Sequence, residues 1–93
     1  MADAQKAFNL SEHLMSHLKN EIDGFNGYMD MAEIADKKGN IDLRDTLLEM
    51  AYDEYSHACY IYNYSRNYFC AMTEECSEKY TCMVKRYEEF FCS

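Results

Sequence analysis

Apolar side chains recur at alternating spacings of four and three residues in the first part of the chain, which is the period of bundle-forming helices. The first stripe contains Leu14, Leu18, Glu21, Phe25, Tyr28, Ala32 and Ala35. A second stripe at the same spacing contains Leu43, Leu47, Met50, Glu54, His57, Ile61, Tyr64 and Tyr68. The pattern predicts two long helices, each with ionisable residues in an otherwise apolar seam that faces the core.

One clear break, Lys37-Lys38-Gly39-Asn40, separates the two stripes. Lysines favour the negative C-terminal end of a helix dipole, and glycine readily adopts the left-handed conformation that ends many helices. We predict helix 1 over about 4–38 and helix 2 over about 42–72, with Asp42 as the N-cap of helix 2. Because the connection is short, the two helices should form an antiparallel hairpin.

A further helix start is indicated by Thr73, which is followed by the acidic residues Glu74 and Glu75. A hydroxyl N-cap with acids in the first turn predicts a C-terminal helix over about 74–91. Because no glycine or proline follows Asn40, a single very long second helix is the alternative. The apolar stripe of this segment contains Cys76, Tyr80, Met83, Tyr87 and Phe90. We expect the stripe to cover the bundle as core or interface.

The composition favours one small all-α domain spanning residues 1–93. The chain has 93 residues, no proline and only three glycines. A chain this short buries a modest core, so support from a metal or a partner chain is expected. The net charge of −8 argues against nucleic acid and against an anionic membrane surface as partners, since both require clustered lysine and arginine.

The chain has no signal-like N-terminal segment and no apolar run of about 20 residues, so we expect a cytoplasmic protein. Its five cysteines form no Cys-x-x-Cys pair, which disfavours a rubredoxin-like iron site or a zinc ribbon. Cys70, Cys76 and Cys82 recur every six residues and would fan around a helix. Reduced thiols are therefore expected.

Three seam residues are the candidates for chemistry. Glu21 lies 18 residues before Gly39 and Glu54 lies 15 residues after it, so both carboxylates should sit at similar heights above the turn. His57 follows Glu54 by three residues and shares its helix face. A carboxylate buried in an apolar seam must be paired, protonated or bound to a cation.

Glu-x-x-His is the inward-facing ligand motif of di-iron and di-manganese carboxylate bundles, where it occurs on two helices while two other helices each carry a lone Glu. This chain has one copy of each part, and His57 is its last histidine. A complete site therefore needs a second chain in a two-fold dimer that forms a four-helix bundle. The alternative is a polar cluster of Glu54 and His57 that only sets the register of a structural helical dimer.

These residues also resemble a known family. The segments EIDGFNGY from Glu21, MAEIA from Met31 and MAYDEYSH from Met50 are similar to the first half of a rubrerythrin or ferritin-like di-iron protein, over roughly residues 10–68. The resemblance implies that Glu21 is a terminal ligand, Glu54 a bridging ligand and His57 the nitrogen ligand. It also implies that Tyr28 donates a hydrogen bond to a ligand carboxylate.

The chain departs from full family members, which repeat the motif on two further helices and, in rubrerythrins, add a cysteine-ligated iron domain. Its single motif is instead similar to the encapsulated ferritins, which build a ferroxidase site across a dimer interface. An encapsulin shell is the partner this similarity would imply. The segment YEEFFCS from Tyr87, however, does not look like their shell-targeting extension.

Iron, with manganese as the alternative, suits a carboxylate-rich site with few imidazoles. We expect Fe(II) oxidation by dioxygen or peroxide at a site shared between two chains. A rubrerythrin-like peroxide reductase and the structural dimer remain as alternatives. His17, one turn before Glu21, could add a ligand or lie on the metal's path from solvent, but a flank position beside the seam is favoured. His13 should face solvent.

Overall fold

The structure is a computed structural model that describes the backbone of residues 2–68 and 73–92 and the side chains of residues 10–67 and 73–92. Within these ranges it contains three α-helices and no strand. They are α1 (Ala2–Lys37), α2 (Ile41–Tyr68) and α3 (Glu74–Phe91). The predicted all-α class is therefore confirmed, whereas the predicted last turn of helix 2, with Cys70, lies outside the described residues.

In the turn between α1 and α2, Gly39 ends the first helix as predicted, but Asp42 is not the N-cap of the second. Gly39 has a φ of 76°, and the N–H of Asn40 donates to the carbonyl of Ala35 at 2.9 Å, which closes the end of α1. The side chain of Asn40 accepts a hydrogen bond from the N–H of Leu43 at 3.2 Å. Asn40 is therefore the N-cap of α2, and the predicted cap is wrong because Asp42 already lies in the first helical turn.

The start of α3 follows the sequence prediction. The backbone of Thr73 is extended, with φ −77° and ψ 155°, and its hydroxyl accepts a hydrogen bond from the N–H of Cys76 at 3.1 Å. Glu74 and Glu75 occupy the first turn, where negative charge is favourable. A separate third helix is confirmed, and the alternative of one helix running through Thr73 is wrong.

The predicted seam of α1 is confirmed by its buried members, which are Leu18, Phe25, Ala32 and Ala35. A second set one position further round the helix is also buried. It consists of Met15, Ile22 and Met29. The buried face of α1 is wider than a two-helix seam because α1 packs against both α2 and α3.

The predicted seam of α2 is only partly right. The buried residues of α2 are Leu47, Ala51, Ala58 and Ser65. Leu43 is 46% exposed, Met50 is 40% exposed and the side chain of His57 is 59% exposed, so these seam positions face outward in the single chain. Tyr64 is exposed as well, and the side chain of Tyr68 lies outside the described residues.

The physical reason is that small side chains take the inner positions of α2. Ala51 and Ala58 are fully buried, and their size allows α1 and α2 to approach closely. Another face of α2 is covered by α3, through ring stacks of Tyr62 on Tyr80 and of Tyr55 on Tyr87. Both pairs have centroids 3.7 Å apart and nearly parallel planes. The remaining apolar face of α2 points away from both neighbours.

The expectation that α3 covers the bundle holds for most of its stripe. Cys76 and Met83 are buried, whereas Phe90 is 48% exposed. Arg86 of α3 also donates a 2.7 Å hydrogen bond to Asp30 of α1. This ion pair and the tyrosine stacks hold α3 against one side of the hairpin and leave the opposite side uncovered.

The cysteines in the described residues are free thiols, as expected. They are Cys59, Cys76, Cys82 and Cys92. Across the described part of the chain, no helix combines the length and apolar character that crossing a membrane requires.

Replacing Thr73 by alanine should destabilise the protein by about 1 kcal/mol, because the amide of Cys76 loses its capping partner. Urea denaturation at fixed protein concentration measures this loss. Thr81→Ala is the matched control, since the Thr81 hydroxyl only bonds to the carbonyl of Ser77 within the helix. Equal stability of the two variants would contradict the assigned cap.

Candidate metal centre

Glu21 in the middle of α1 and Glu54 in the middle of α2 meet across the hairpin, as their distances from Gly39 predict. One ligand atom from each of Glu21, Glu54 and His57 lies within 4.8 Å of the other two. Among the described residues, this is the group of histidine, cysteine and acidic side chains that is close enough to hold a metal ion. The structure therefore brings together the three residues that the sequence singled out.

The carboxylate of Glu21 is the most enclosed part of this group. Its side chain is 13% exposed, and its Oε2 atom is buried without a hydrogen-bond donor when both carboxyls are ionised. The nearest basic atom is Nδ1 of His57, at 3.4 Å. A buried carboxylate oxygen without a donor is costly, and a bound cation would remove that cost.

The carboxyl group of Glu54 is held in a position that favours its protonated form. A hydrogen bond to Glu21, partial burial and the negative charge of Glu21 together raise the pKa of Glu54 to about 7, against the opposing effect of His57. Near neutral pH the pair of carboxyls therefore shares a proton when no metal is bound. A cation that replaces the proton would satisfy both groups.

His57 and Tyr28 differ in how they relate to the carboxylates. His57 lies at the rim of the group, and within the single chain most of its side chain is exposed rather than turned into the core. Tyr28 is half-buried and packs against both clusters of core residues. The hydrogen bond from Tyr28 to a ligand carboxylate stays a prediction.

Gly24 is a part of this site that periodicity alone did not reveal. A Cβ atom placed on Gly24 would lie 2.7 Å from Oε2 of Glu54, which is closer than real Cβ contacts allow. Glycine inside a helix costs up to about 1 kcal/mol relative to alanine. Because Gly24 has no side chain, the carboxylate of Glu54 on α2 has room to reach Glu21 on α1. A glycine in the middle of a predicted helix was the available signal.

The remaining histidines lie where the sequence indicated. His13 is exposed, and His17 is on the flank of α1 with 65% of its side chain exposed. His17 also lies close to the site, since its Nε2 atom is 3.6 Å from Oε1 of Glu21.

Two carboxylates and one imidazole make a ligand set for iron, manganese or another divalent transition metal. The set fits such an ion because it combines a buried oxygen that lacks a donor with two carboxylates that repel each other when ionised. Three side chains leave the coordination of one ion incomplete, and di-iron bundles use twice this number of ligands. The group is therefore the size of half a dinuclear site.

Comparison with known proteins gives one match. A protein-family model described as Rubrerythrin matches residues 12–92, a range that contains Glu21, Glu54, His57 and all of α3. No curated protein matches the chain, and no solved structure matches it.

Replacing Gly24 by alanine should weaken metal binding about 10- to 100-fold, because the added methyl group displaces the carboxylate of Glu54. The metal-free variant should nevertheless be as stable as the parent or more stable by up to about 1 kcal/mol, since alanine favours the helix. Competition with a metal-binding dye measures the affinity, and urea denaturation measures the stability.

Gly27→Ala is the matched control for Gly24→Ala. It lies on the same helix and gains the same helix propensity, but its Cβ would meet nothing within 4 Å. Metal affinity should be unchanged in Gly27→Ala. If both variants bound metal equally well, Gly24 would have no role in placing Glu54.

Glu54→Gln should remove a pH dependence from the stability of the metal-free protein. Because the folded state raises the pKa of Glu54 from 4.5 to about 7, its stabilising contribution is complete below about pH 4.5 and is lost as the pH rises through 7. The melting temperature with chelator should therefore fall more between pH 5 and pH 8 in the parent than in Glu54→Gln. Glu49→Gln, at an exposed position of α2, is the charge control and should behave like the parent.

Proposed function

The chain belongs to the rubrerythrin family, and on that premise we propose that it is a di-iron carboxylate protein that oxidises Fe(II) with dioxygen or peroxide. The site is formed by Glu21, Glu54 and His57 together with the same three residues of a second copy. In cells the protein would act in the cytoplasm.

The observation that carries this proposal is the close approach of Glu21 and Glu54, which leaves a buried oxygen without a donor when both carboxyls are ionised. A structural polar cluster would be expected to satisfy its buried atoms with hydrogen bonds from neighbouring side chains. This pair instead needs a proton or a cation at its centre. His57, at the open edge, adds the nitrogen ligand that is typical of transition-metal sites.

The uncovered side of the hairpin is suited to packing against a second copy of the chain. Leu43, Met50 and His57 are exposed at intervals of seven residues, which is the repeat of a helix that packs against another helix. Near the turn, Leu43 and Ile34 line an apolar groove of about 460 Å³. The apolar stripe passes through the metal centre, so a two-fold dimer on this face would bring two sets of ligands together.

Each residue has a distinct task in the proposed site. By the family resemblance Glu54 would serve as the shared carboxylate ligand, while Glu21 would supply a further carboxylate and His57 the nitrogen. Tyr28 would orient a ligand carboxylate by a hydrogen bond. Two Fe(II) ions bound there would give up one electron each, and dioxygen would take two electrons and two protons to become hydrogen peroxide.

The purified protein, loaded with Fe(II) without air, should contain about one iron per chain in an assembly with an even number of chains. Admitting air should produce a ferric absorbance, and Glu54→Ala should lose both the iron and the absorbance. Metal analysis, native mass and absorbance spectroscopy measure these properties. Glu49→Ala, an exposed acid of the same helix, is the control and should behave like the parent.

Two results would contradict the proposal. If exhaustive chelation left the dimer and its melting temperature unchanged, and Fe(II) bound no better to the parent than to Glu54→Ala, the protein would be a structural helical dimer. If supplied electrons drove rapid turnover of peroxide while dioxygen oxidised Fe(II) only slowly, the protein would be a peroxide reductase.

A further inference from the structure

We propose that His17 and the Oε1 atom of Glu21 form an outer metal position, which receives a divalent transition-metal cation from solvent before the cation reaches Glu54. This inference deepens the proposed function and rests on it, because an outer position is useful only when there is an inner site to supply. The evidence is the geometry on the open side of Glu21.

The two oxygens of Glu21 face different histidines. Its Oε2 atom is buried and lies 3.4 Å from Nδ1 of His57. Its Oε1 atom lies 3.6 Å from Nε2 of His17, one helical turn earlier on α1. The same carboxylate therefore has an inner oxygen within the three-residue group and an outer oxygen beside a second imidazole.

A cleft connects the outer oxygen with solvent. It has a volume of about 360 Å³ and is lined by His17, Glu21, His57, Tyr60 and Ile61. Glu54 is not part of this lining, so a cation that arrives through the cleft meets the two histidines and Glu21 first. Six waters around a cation occupy roughly 180 Å³ at about 30 Å³ each, so a hydrated ion fits.

The imidazole of His17 and the carboxylate of Glu21 together determine which metal ions this position favours. Nitrogen and oxygen donors together favour Fe(II), Mn(II), Co(II) or Zn(II) over Mg(II) and Ca(II), which prefer oxygen alone. Two protein ligands leave several positions to water, so binding at His17 should be weak and exchangeable. Because Glu21 belongs to both positions, a cation can move inward while it stays bound to this carboxylate.

The competing interpretation is that His17 only donates a hydrogen bond that orients Glu21. His17→Gln separates the two, because glutamine keeps an N–H donor but is a poor ligand for a transition metal. His17→Ala removes both properties. His13→Ala is the matched control, since His13 is also exposed and lies one turn earlier on the same helix.

Stopped-flow oxidation of Fe(II) by the purified protein tests the kinetic role. At limiting Fe(II), His17→Ala and His17→Gln should both be slower than the parent by about tenfold, while the rate at saturating Fe(II) and the final iron content stay unchanged. His13→Ala should match the parent. Recovery of the parental rate in His17→Gln would overturn the proposal and leave His17 as a group that orients Glu21.

Zinc binding gives a readout that does not depend on oxidation. In a His57→Ala background, Zn(II) should still shift the side-chain nitrogen resonances of His17, and the additional change Glu21→Gln should abolish that shift. Unshifted His17 resonances would overturn the outer position. If the parent protein binds about one iron per chain in that case, the proposed function stands and only the outer position is lost. A parent that binds no metal overturns both.

Discussion

The close approach of two carboxyl groups, Glu21 on α1 and Glu54 on α2, is the constraint on which the function of this hairpin depends. A hydrogen bond to Glu21, partial burial and the negative charge of Glu21 raise the pKa of Glu54 to about 7, and that hydrogen bond exists only while a proton is shared. A proton and a cation are therefore competitors for the same position. This competition is typical of metal sites whose ligands must lose protons on binding.

The hairpin enforces that approach through its turn and its small residues. Gly39 ends α1 and Asn40 begins α2 at once, so the two carboxylates are held at matching heights above a short connection. Ala51 and Ala58 are fully buried and bring the helices close together, and Gly24 leaves the space that the carboxylate of Glu54 fills. At Gly24, Ala51 and Ala58 the chain gives up side-chain contacts or helix propensity where a larger residue would crowd the space between the two helices.

The sequence predicts the helices and the three members of the site well. Helix ends depend on glycine and capping residues at the ends themselves, and residue spacing along a regular helix determines which side chains meet. Gly39 and Thr73 end and begin helices where their chemistry indicates, and Glu54 and Glu21 meet because rise per residue is nearly constant. The outward position of Leu43 could not be predicted in the same way. A period of 3.5 residues identifies an apolar stripe, but α2 has apolar residues on several faces and the stripe does not reveal which helix covers it.

The arrangement of α3 explains why a single chain provides only half of the proposed site. The rings of Tyr80 and Tyr87 stack on Tyr62 and Tyr55, and Tyr55 lies about 160° round the helix from His57. The third helix therefore covers the side of α2 opposite to His57. Residues 73–92 also contain no histidine. In the proposed site the remaining ligands come from a second chain, and the exposed stripe of α2 is continuous with His57. The proposed second copy would bring both the apolar stripe and the missing ligands to that face.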